Sequence, residues 1–493
     1  MTHPIQPRHL ALIAAVLAAL AGCAAAPPYQ TPATASPAAF KEAQGWAPAA
    51  PADLLDKGPW WTLFGDPVLD RLMEAVNVSN QNVAAASAAY AQARALVAEQ
   101  RAQWFPQVDL GANASRSGGG GATRTAGQYR VNIGGSWEPD IWGRLGAAVS
   151  GAQASAQASQ ADLAAATLSA QGELAASYFA LRAADAQAAL LDATVAGYEK
   201  ALRIADNRFK AGIAARTDVL QAQTQLDNAR IDRLSVTRQR AQLEHAMAIL
   251  LGKAPADFTL AASAERNPPY GTPPRTADLN GPAAVPVITV PRLPDVPVIP
   301  AGVPSELLQR RPDIAAAERR VASANAQVGV ARSAYFPSLT LSASYGFGAS
   351  QVAGLFSASN SLWSLGLAAA QTLFDGGAIK ARVAGAEAAR DEAVARYRQT
   401  VLAAFGDVED QLAAGRVLEQ QQALRQSASQ AADLAEQQMV NRYRAGQVGY
   451  TDVVQAQASA LSARRALLQV QSDRQAVAVA LIQSLGGGWH AGR

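Results

Sequence analysis

The sequence predicts a mixed α and β protein: short paired strands of a transmembrane β-barrel continued by very long coiled-coil helices. Three observations carry that prediction. One pattern occurs twice, 234 residues apart: Asn207–Arg230 and Asn441–Arg464 align without a gap and share 12 of 24 positions. A proline-free helical stretch of about 65 residues, 144–209 or 378–443, runs into each copy. Upstream of each stretch lie two segments of about ten residues in which apolar and polar side chains alternate. A long unit present in only two copies points to a pseudo-twofold structure rather than a solenoid.

Composition narrows the function classes. Only 16% of the 493 residues are charged, the net charge is +3 and no arginine-rich block occurs, which argues against nucleic-acid binding. After residue 22 no run of 18 apolar residues is present, so membrane-spanning helices are not expected. The four histidines (His3, His9, His245 and His490) are isolated, and there is no cysteine pair or phosphate-binding glycine loop. No catalytic group, metal site or cofactor is expected.

The chain opens on an export signal, 1–22. Arg8 precedes the apolar stretch Leu10–Leu20, and Leu20-Ala21-Gly22 leads into Cys23, the only cysteine. That setting resembles the lipobox of bacterial lipoproteins, which implies a mature chain starting at a diacylglycerol-bearing Cys23. Several acyl chains, at about 0.8 kcal/mol per buried methylene, make a firm anchor. Residues 23–66 read as a lipid-anchored tether and equatorial segment, of which 24–59, rich in Ala, Pro, Ser and Thr, is extended.

The first structural repeat, 67–252, opens with Pro67 at a helix start and one helical stretch, Val68–Gln103. From 108 the period becomes two. Val108, Leu110, Ala112 and Ala114 alternate with Asp109, Gly111, Asn113 and Ser115. After the glycine run 118–121, Tyr129, Val131, Ile133, Gly135 and Trp137 alternate with Arg130, Asn132, Gly134, Ser136 and Glu138. The second repeat, 305–486, answers with Leu339 to Phe347 against Ser338 to Gly346, then a weaker strand around Trp363 to Ala369. A soluble sandwich alternates in the same way, but two hairpins bury too little to stand alone. Strands of this length, apolar outward and polar inward, fit a membrane barrel wall, with Tyr129, Trp137, Tyr345, Phe347 and Trp363 near strand ends as girdle residues. Asp109, Asn113, Asn132 and Ser342 then line a wet, weakly selective lumen. Four strands cannot close such a barrel, so the chain is expected to oligomerise.

Glycine turns at Asp140–Gly143 and Phe374–Gly377 precede the long helices. Leu191, Val195, Tyr198, Leu202, Ala205 and Phe209 are spaced 4, 3, 4, 3, 4, and Leu174, Tyr178, Leu181 and Val401, Phe405, Val408, Leu412 follow suit, as in a coiled coil. Gly212 and Gly446 read as stop signals. Thr217-Asp218 and Thr451-Asp452 are then placed to cap returning helices over 218–251 and 452–485. Between the repeats, 253–304 is a Pro-rich linker, with 11 of the 26 prolines after residue 266, either irregular or lying as a belt against the helices. Residues 487–493 form a tail.

Several motifs carry a family resemblance: the lipobox, Trp60–Pro67, the two Phe-Pro strand starts at Phe105-Pro106 and Phe336-Pro337, Pro304–Ile314, and the paired Asn-Arg-aromatic-basic-Ala-Gly tips. Together, in this order, they resemble the TolC-like outer-membrane efflux proteins of the lipidated OprM/NodT type, over nearly the whole mature chain. The resemblance implies a homotrimer whose four strands per chain make a 12-stranded barrel in the outer membrane. Its helices would continue as a hollow cylinder into the periplasm. It implies a passive duct for drugs or other small compounds, fed by an inner-membrane RND or ABC transporter through a periplasmic adaptor (membrane fusion protein). The Leu-Leu-Gln-Arg-Arg-Pro-Asp stretch and the lipid anchor favour RND. Arg208, Lys210, Gly212, Arg442, Arg444 and Gly446 become candidates for adaptor docking or tip restraint, against a merely solvated helix end. Asp452, and Asp218 as its counterpart, match a family position ringing the closed periplasmic aperture, or else only cap their helices. Gln455 and Gln221, one turn deeper, stand where an acid is often found, which puts a double acidic ring in doubt. Type I protein secretion and a non-transporting trimeric coiled-coil surface protein are the alternative functions.

Overall fold

The computed structural model describes residues 27–34, 36–43, 59–117, 126–262, 290–299 and 310–489. The export signal, Cys23, the glycine run 118–121, most of the Pro-rich linker and Pro304–Gln309 lie outside the described residues. In chain order the elements are α1 (Pro67–Ser79), α2 (Gln81–Ala102), β1 (Gln107–Ser117), β2 (Ala126–Trp137), α3 (Arg144–Lys210), α4 (Arg216–Leu250), α5 (Pro312–Ser333), β3 (Ser338–Ala349), β4 (Ser361–Ala370), α6 (Ala378–Arg444) and α7 (Tyr450–Ser484). No described helix is long and apolar enough to cross a membrane.

The chain divides into two compact units, each drawing on both repeats. The first, 1–35, 87–162 and 313–401, holds the strands. They form one antiparallel sheet in the order β1-β2-β3-β4. β2 pairs with β3, so the two hairpins are fused by a central seam running from Tyr129↔Ala349 to Trp137↔Leu341. Gly346 is required there, because a Cβ would sit 2.4 Å from the Val131 carbonyl oxygen. Below the strands, the Trp142 indole stacks on Phe336 at 4.9 Å and donates to the Pro337 carbonyl at 2.6 Å, joining the end of one hairpin to the start of the other. Asp140 accepts from the backbone N–H groups of Leu145 and Gly146, and Asp375 from those of Gly377 and Ile379, so a carboxylate caps the start of each long helix. The described part of the tether is extended but docked. Tyr29 donates to the Glu318 carboxylate, and Asn325 Nδ2 donates to the Pro27 carbonyl at 3.0 Å.

The second unit, 36–86, 163–312 and 402–493, holds the helical hairpins. Leu190 and Leu191 of α3, Val236 of α4 and Leu467, Leu468 and Val470 of α7 form its main cluster. Val290 and Leu293 of the Pro-rich linker join this cluster, and Gln475 Nε2 donates to the Pro294 carbonyl, so this part of the linker lies against α7. The Trp60–Phe64 turn packs on α3. Trp60 is buried and donates through its indole N–H to Gln171 at 3.1 Å, and Phe64 meets Phe179 at 4.8 Å. Asp66 accepts from Val68 N–H as the cap of α1 and from the Tyr178 hydroxyl at 2.5 Å.

Two expectations need correction here. The helix expected over Val68–Gln103 breaks at Asn80, whose Oδ1 accepts from the N–H groups of Asn82 and Val83 while its Nδ2 donates to the Leu250 carbonyl. A residue that caps a new helix and holds the end of α4 is worth more there than one more helical turn. The coiled-coil stripe also stops short. Leu191, Tyr198 and Ala205 are buried, but Phe209 is 40% exposed.

Candidate functional site

Two places hold the candidate functional residues, one in each unit. The first is the sheet. Its register puts Val108, Leu110, Ile133, Tyr345, Trp363 and Leu365 on one face, and every one of them is exposed, Trp363 at 78%. A large exposed apolar face has no stable home in water. The opposite face carries Asp109, Asn113, Asn132 and Ser342 together, so the four lumen candidates share one surface. Apart from Arg130 and Leu362, much of that face is small: Asn132 stands across from Gly111 and Gly346, Ser342 from Ser136 and Gly366, and the Ser344 and Ser364 hydroxyls meet at 2.9 Å. Aromatic side chains crowd the turn end, where Phe347 meets Tyr345 at 5.7 Å and Phe356 at 5.5 Å. Within the described chain β1 and β4 each pair on one side only, leaving two unsatisfied edges.

The second place is the pair of helical tips. Each long helix stops through the same motif. Ile213 N–H donates to the Arg208 carbonyl and Gly212 N–H to the Phe209 carbonyl; Gln447 and Gly446 do the same to Arg442 and Tyr443. This six-to-one and five-to-two pattern needs a left-handed residue, and Gly212 (φ 72°) and Gly446 (φ 74°) supply it. The expected caps are wrong by a few residues. α4 begins after Ala215 and α7 after Gly449, neither N-cap makes a side-chain capping bond, and Asp218 and Asp452 sit in the first helical turn. There a carboxylate favours the helix through the dipole instead of through a cap bond.

Between the tips, Arg208 reaches from the first hairpin to the second. Its Nη1 donates to the Tyr443 carbonyl at 3.3 Å and the Arg444 carbonyl at 3.5 Å, and the guanidinium lies 4.8 Å above the Tyr443 ring. Tyr443 meets Tyr450 edge-on at 5.2 Å, and both pack with Ala205, Ala222 and Val453. Burial pushes the Tyr443 phenol pKa up, the Asp218 charge adds to it and Arg208 opposes it; burial likewise raises that of Tyr450. The Tyr443 hydroxyl and Arg208 Nε are buried without a hydrogen-bond partner among the described residues. Gln221 takes part too, accepting from the Thr451 hydroxyl at 3.3 Å. The structure thus brings Arg208, Asp218 and Gln221 to the second hairpin. Arg442, Arg444, Asp452 and Gln455 are exposed, and the side chains of none of them pair within the described chain; Lys210 pairs with Asp206 of its own helix at 2.6 Å. The Tyr443–Tyr450 core was not foreseen. Its signal was present, since Tyr450 aligns with Arg216 in the repeat and so marks where the copies diverge.

The description that fits this arrangement is that of a known family. The family model "Outer membrane efflux protein" matches residues 72–253 and 303–487. Over 485 residues the chain is 31% identical to the solvent efflux pump outer membrane protein SrpC of Pseudomonas putida, across 95% of this chain and 96% of that one. It is 32% identical over 497 residues to the pyoverdine export outer membrane protein OpmQ of Pseudomonas putida, across 98% of both chains. The outer-membrane channel OprN superimposes with a TM-score of 0.82 at 29% identity, across 95% of this chain and all of that one. The chain therefore belongs to the outer membrane efflux protein family.

Proposed function

We propose that three copies of this chain form a passive exit duct in the outer membrane, handing on solutes from an inner-membrane pump by way of a periplasmic adaptor. The sheet carries the reading: an exposed apolar face, a small polar face and two open edges make sense once strands from neighbouring copies close a barrel in lipid, where every backbone group must be paired. Four strands from each of three copies give 12. The pump supplies the energy and selects the cargo; relatives named for solvent efflux and for pyoverdine export are similar to this chain to nearly the same degree, 31% and 32% identical, although their names give different cargoes. Cys23 carries the lipid anchor, and the tips bearing Lys210, Arg442 and Arg444 receive the adaptor.

The tips also hold the duct shut. Arg208 ties one hairpin to the next, and Asp452 with Arg442 and Arg444 offers opposite charges toward neighbouring copies. Purified protein should run as a trimer on native mass measurement and conduct weakly in planar bilayers. Replacing Asp452, Arg442 and Arg444 together by Ala should raise single-channel conductance. Unchanged conductance would remove these residues from the gate, and a monodisperse monomer with intact strands would remove the duct. Mass spectrometry of the mature N-terminus should find an acylated Cys23.

A further inference from the structure

The luminal face of the sheet carries two charges among its described residues, Asp109 and Arg130, at different levels. The register sets Asp109 opposite Gly134 and Arg130 opposite Asn113 and Gly348. Four residues of strand separate the two levels, about 13 Å at 3.3 Å per residue. That exceeds the Debye length of about 8 Å at physiological salt, so the acid does not neutralise the guanidinium. Asp109 lies toward the helices and Arg130 toward the hairpin turns. Arg130 is exposed, with no ion pair or side-chain hydrogen bond within the described chain. The residues beside it cannot screen it: Gly348 has no side chain and Asn113 is neutral. The surrounding sequence adds no counter-charge. From 338 to 370, spanning β3, β4 and their connection, there is no Asp, Glu, Lys or Arg, and between β1 and β2 the only charged residue is Arg124.

We infer that Arg130, one per copy, forms a cationic ring at the external mouth of the lumen that draws anionic solutes through the last step of the duct. The inference rests on the trimeric duct proposed above. A ring of like charges is how a wide pore acquires a preference between ion signs, arginine and lysine favouring anions. Three unpaired guanidiniums in a duct lined mainly by Gly, Ser and Ala act at long range, and the large side chain beside their level on this face, Leu362 against Gly348, is neutral. The lumen would therefore be more selective than its small polar residues suggest.

The test uses full-length trimer in planar bilayers under a KCl gradient, with hexametaphosphate added on the hairpin-turn side as a multivalent anionic probe. The wild type should be blocked by the probe from that side, and Arg130→Lys should keep the block. Arg130→Glu should abolish it and lower the anion-to-cation permeability ratio on the order of threefold, less than the tenfold and more that narrow charged clefts reach. Arg130→Gln, which adds no new charge, should fall between and covers the case in which the Glu variant fails to assemble. Asp109→Asn should leave the block in place. If Arg130→Gln conducts with block and permeability ratio unchanged, the ring is wrong while the duct stands. If wild-type trimers do not conduct at all, the duct reading falls and the ring with it.

Discussion

The two helical tips began as copies and no longer have the same surroundings. In the second, Tyr443 is 6% exposed and packed on Tyr450; its counterpart Phe209 is 40% exposed, and Ile213 beside it 68%. Arg208 spans to the other hairpin, whereas the matching Arg442 projects free of side-chain partners within the described chain. Farther from the tip, Arg464 is buried between Asp433 at 2.8 Å and Glu436 at 2.6 Å, while the matching Arg230 reaches Glu199 at 2.9 Å on an exposed surface. One sequence motif thus gave two hairpins of the same backbone, one with its tip aromatic and Arg464 built into a core and one with the matching aromatic and arginine exposed. Backbone geometry survived duplication because glycine and helix rules are local; side-chain roles diverged because burial is set by neighbours.

That difference can be broken at several points. The largest effect is expected at the arginines. Arg464→Ala leaves two partly buried carboxylates without their cation and should cost about 3–5 kcal/mol, against about 0–1 kcal/mol for Arg230→Ala, read from chemical denaturation of the purified protein. Equal losses would mean the two sites are equally solvated. Next come Arg208→Ala, with an expected loss of about 1–3 kcal/mol from its carbonyl bonds and ring contact, and Arg442→Ala, within about 0.5 kcal/mol of wild type. Hydrogen exchange at the tips should rise in the first variant alone. The glycines test what the tips still share. Gly212→Ala and Gly446→Ala should each cost about 1–2 kcal/mol, because both are held at positive φ, and unequal penalties would mean that one stop motif is not formed in solution.

The smallest effect concerns pH. Burial raises the carboxyl pKa values of Asp433 and Glu436 despite the opposing pull of Arg464. In the folded hairpin these groups therefore hold protons more tightly than in the unfolded chain. Their contribution to stability should grow as pH falls from above the raised values to the ordinary carboxylate range, and be lost as pH rises again. The Tm difference between wild type and Glu436→Gln should follow that sign; the reverse trend would show that attraction to Arg464 outweighs burial.

Much of this was legible from local patterns. The long helices expected over 144–209 and 378–443 end at Lys210 and Arg444, since a proline-free alanine-rich run stops where glycine provides the left-handed turn. Alternation placed Asp109, Asn113, Asn132 and Ser342 on one face. What stayed hidden depends on partners distant in sequence. Asn80 looks like any polar residue in a helical run until the Leu250 carbonyl arrives beside it. Thr217-Asp218 has the composition of a cap, but the chain enters α4 two residues earlier. Arg130 is one polar residue among several until the register shows that no acid stands at its level.

The central seam of the sheet also constrains how such a chain is made. Val131 pairs with Phe347, so β2 waits for a neighbour synthesised more than two hundred residues later. Contacts so far apart in sequence form late, because the intervening chain must be ordered first. A fragment ending before Ser338 has the first hairpin but open edges on both of its sides, and lipid offers those edges nothing. The four-stranded wall is therefore complete only when both repeats are present. An export machinery that keeps the polypeptide extended until its last strand has crossed works with this topology, since the fold itself forbids an early start.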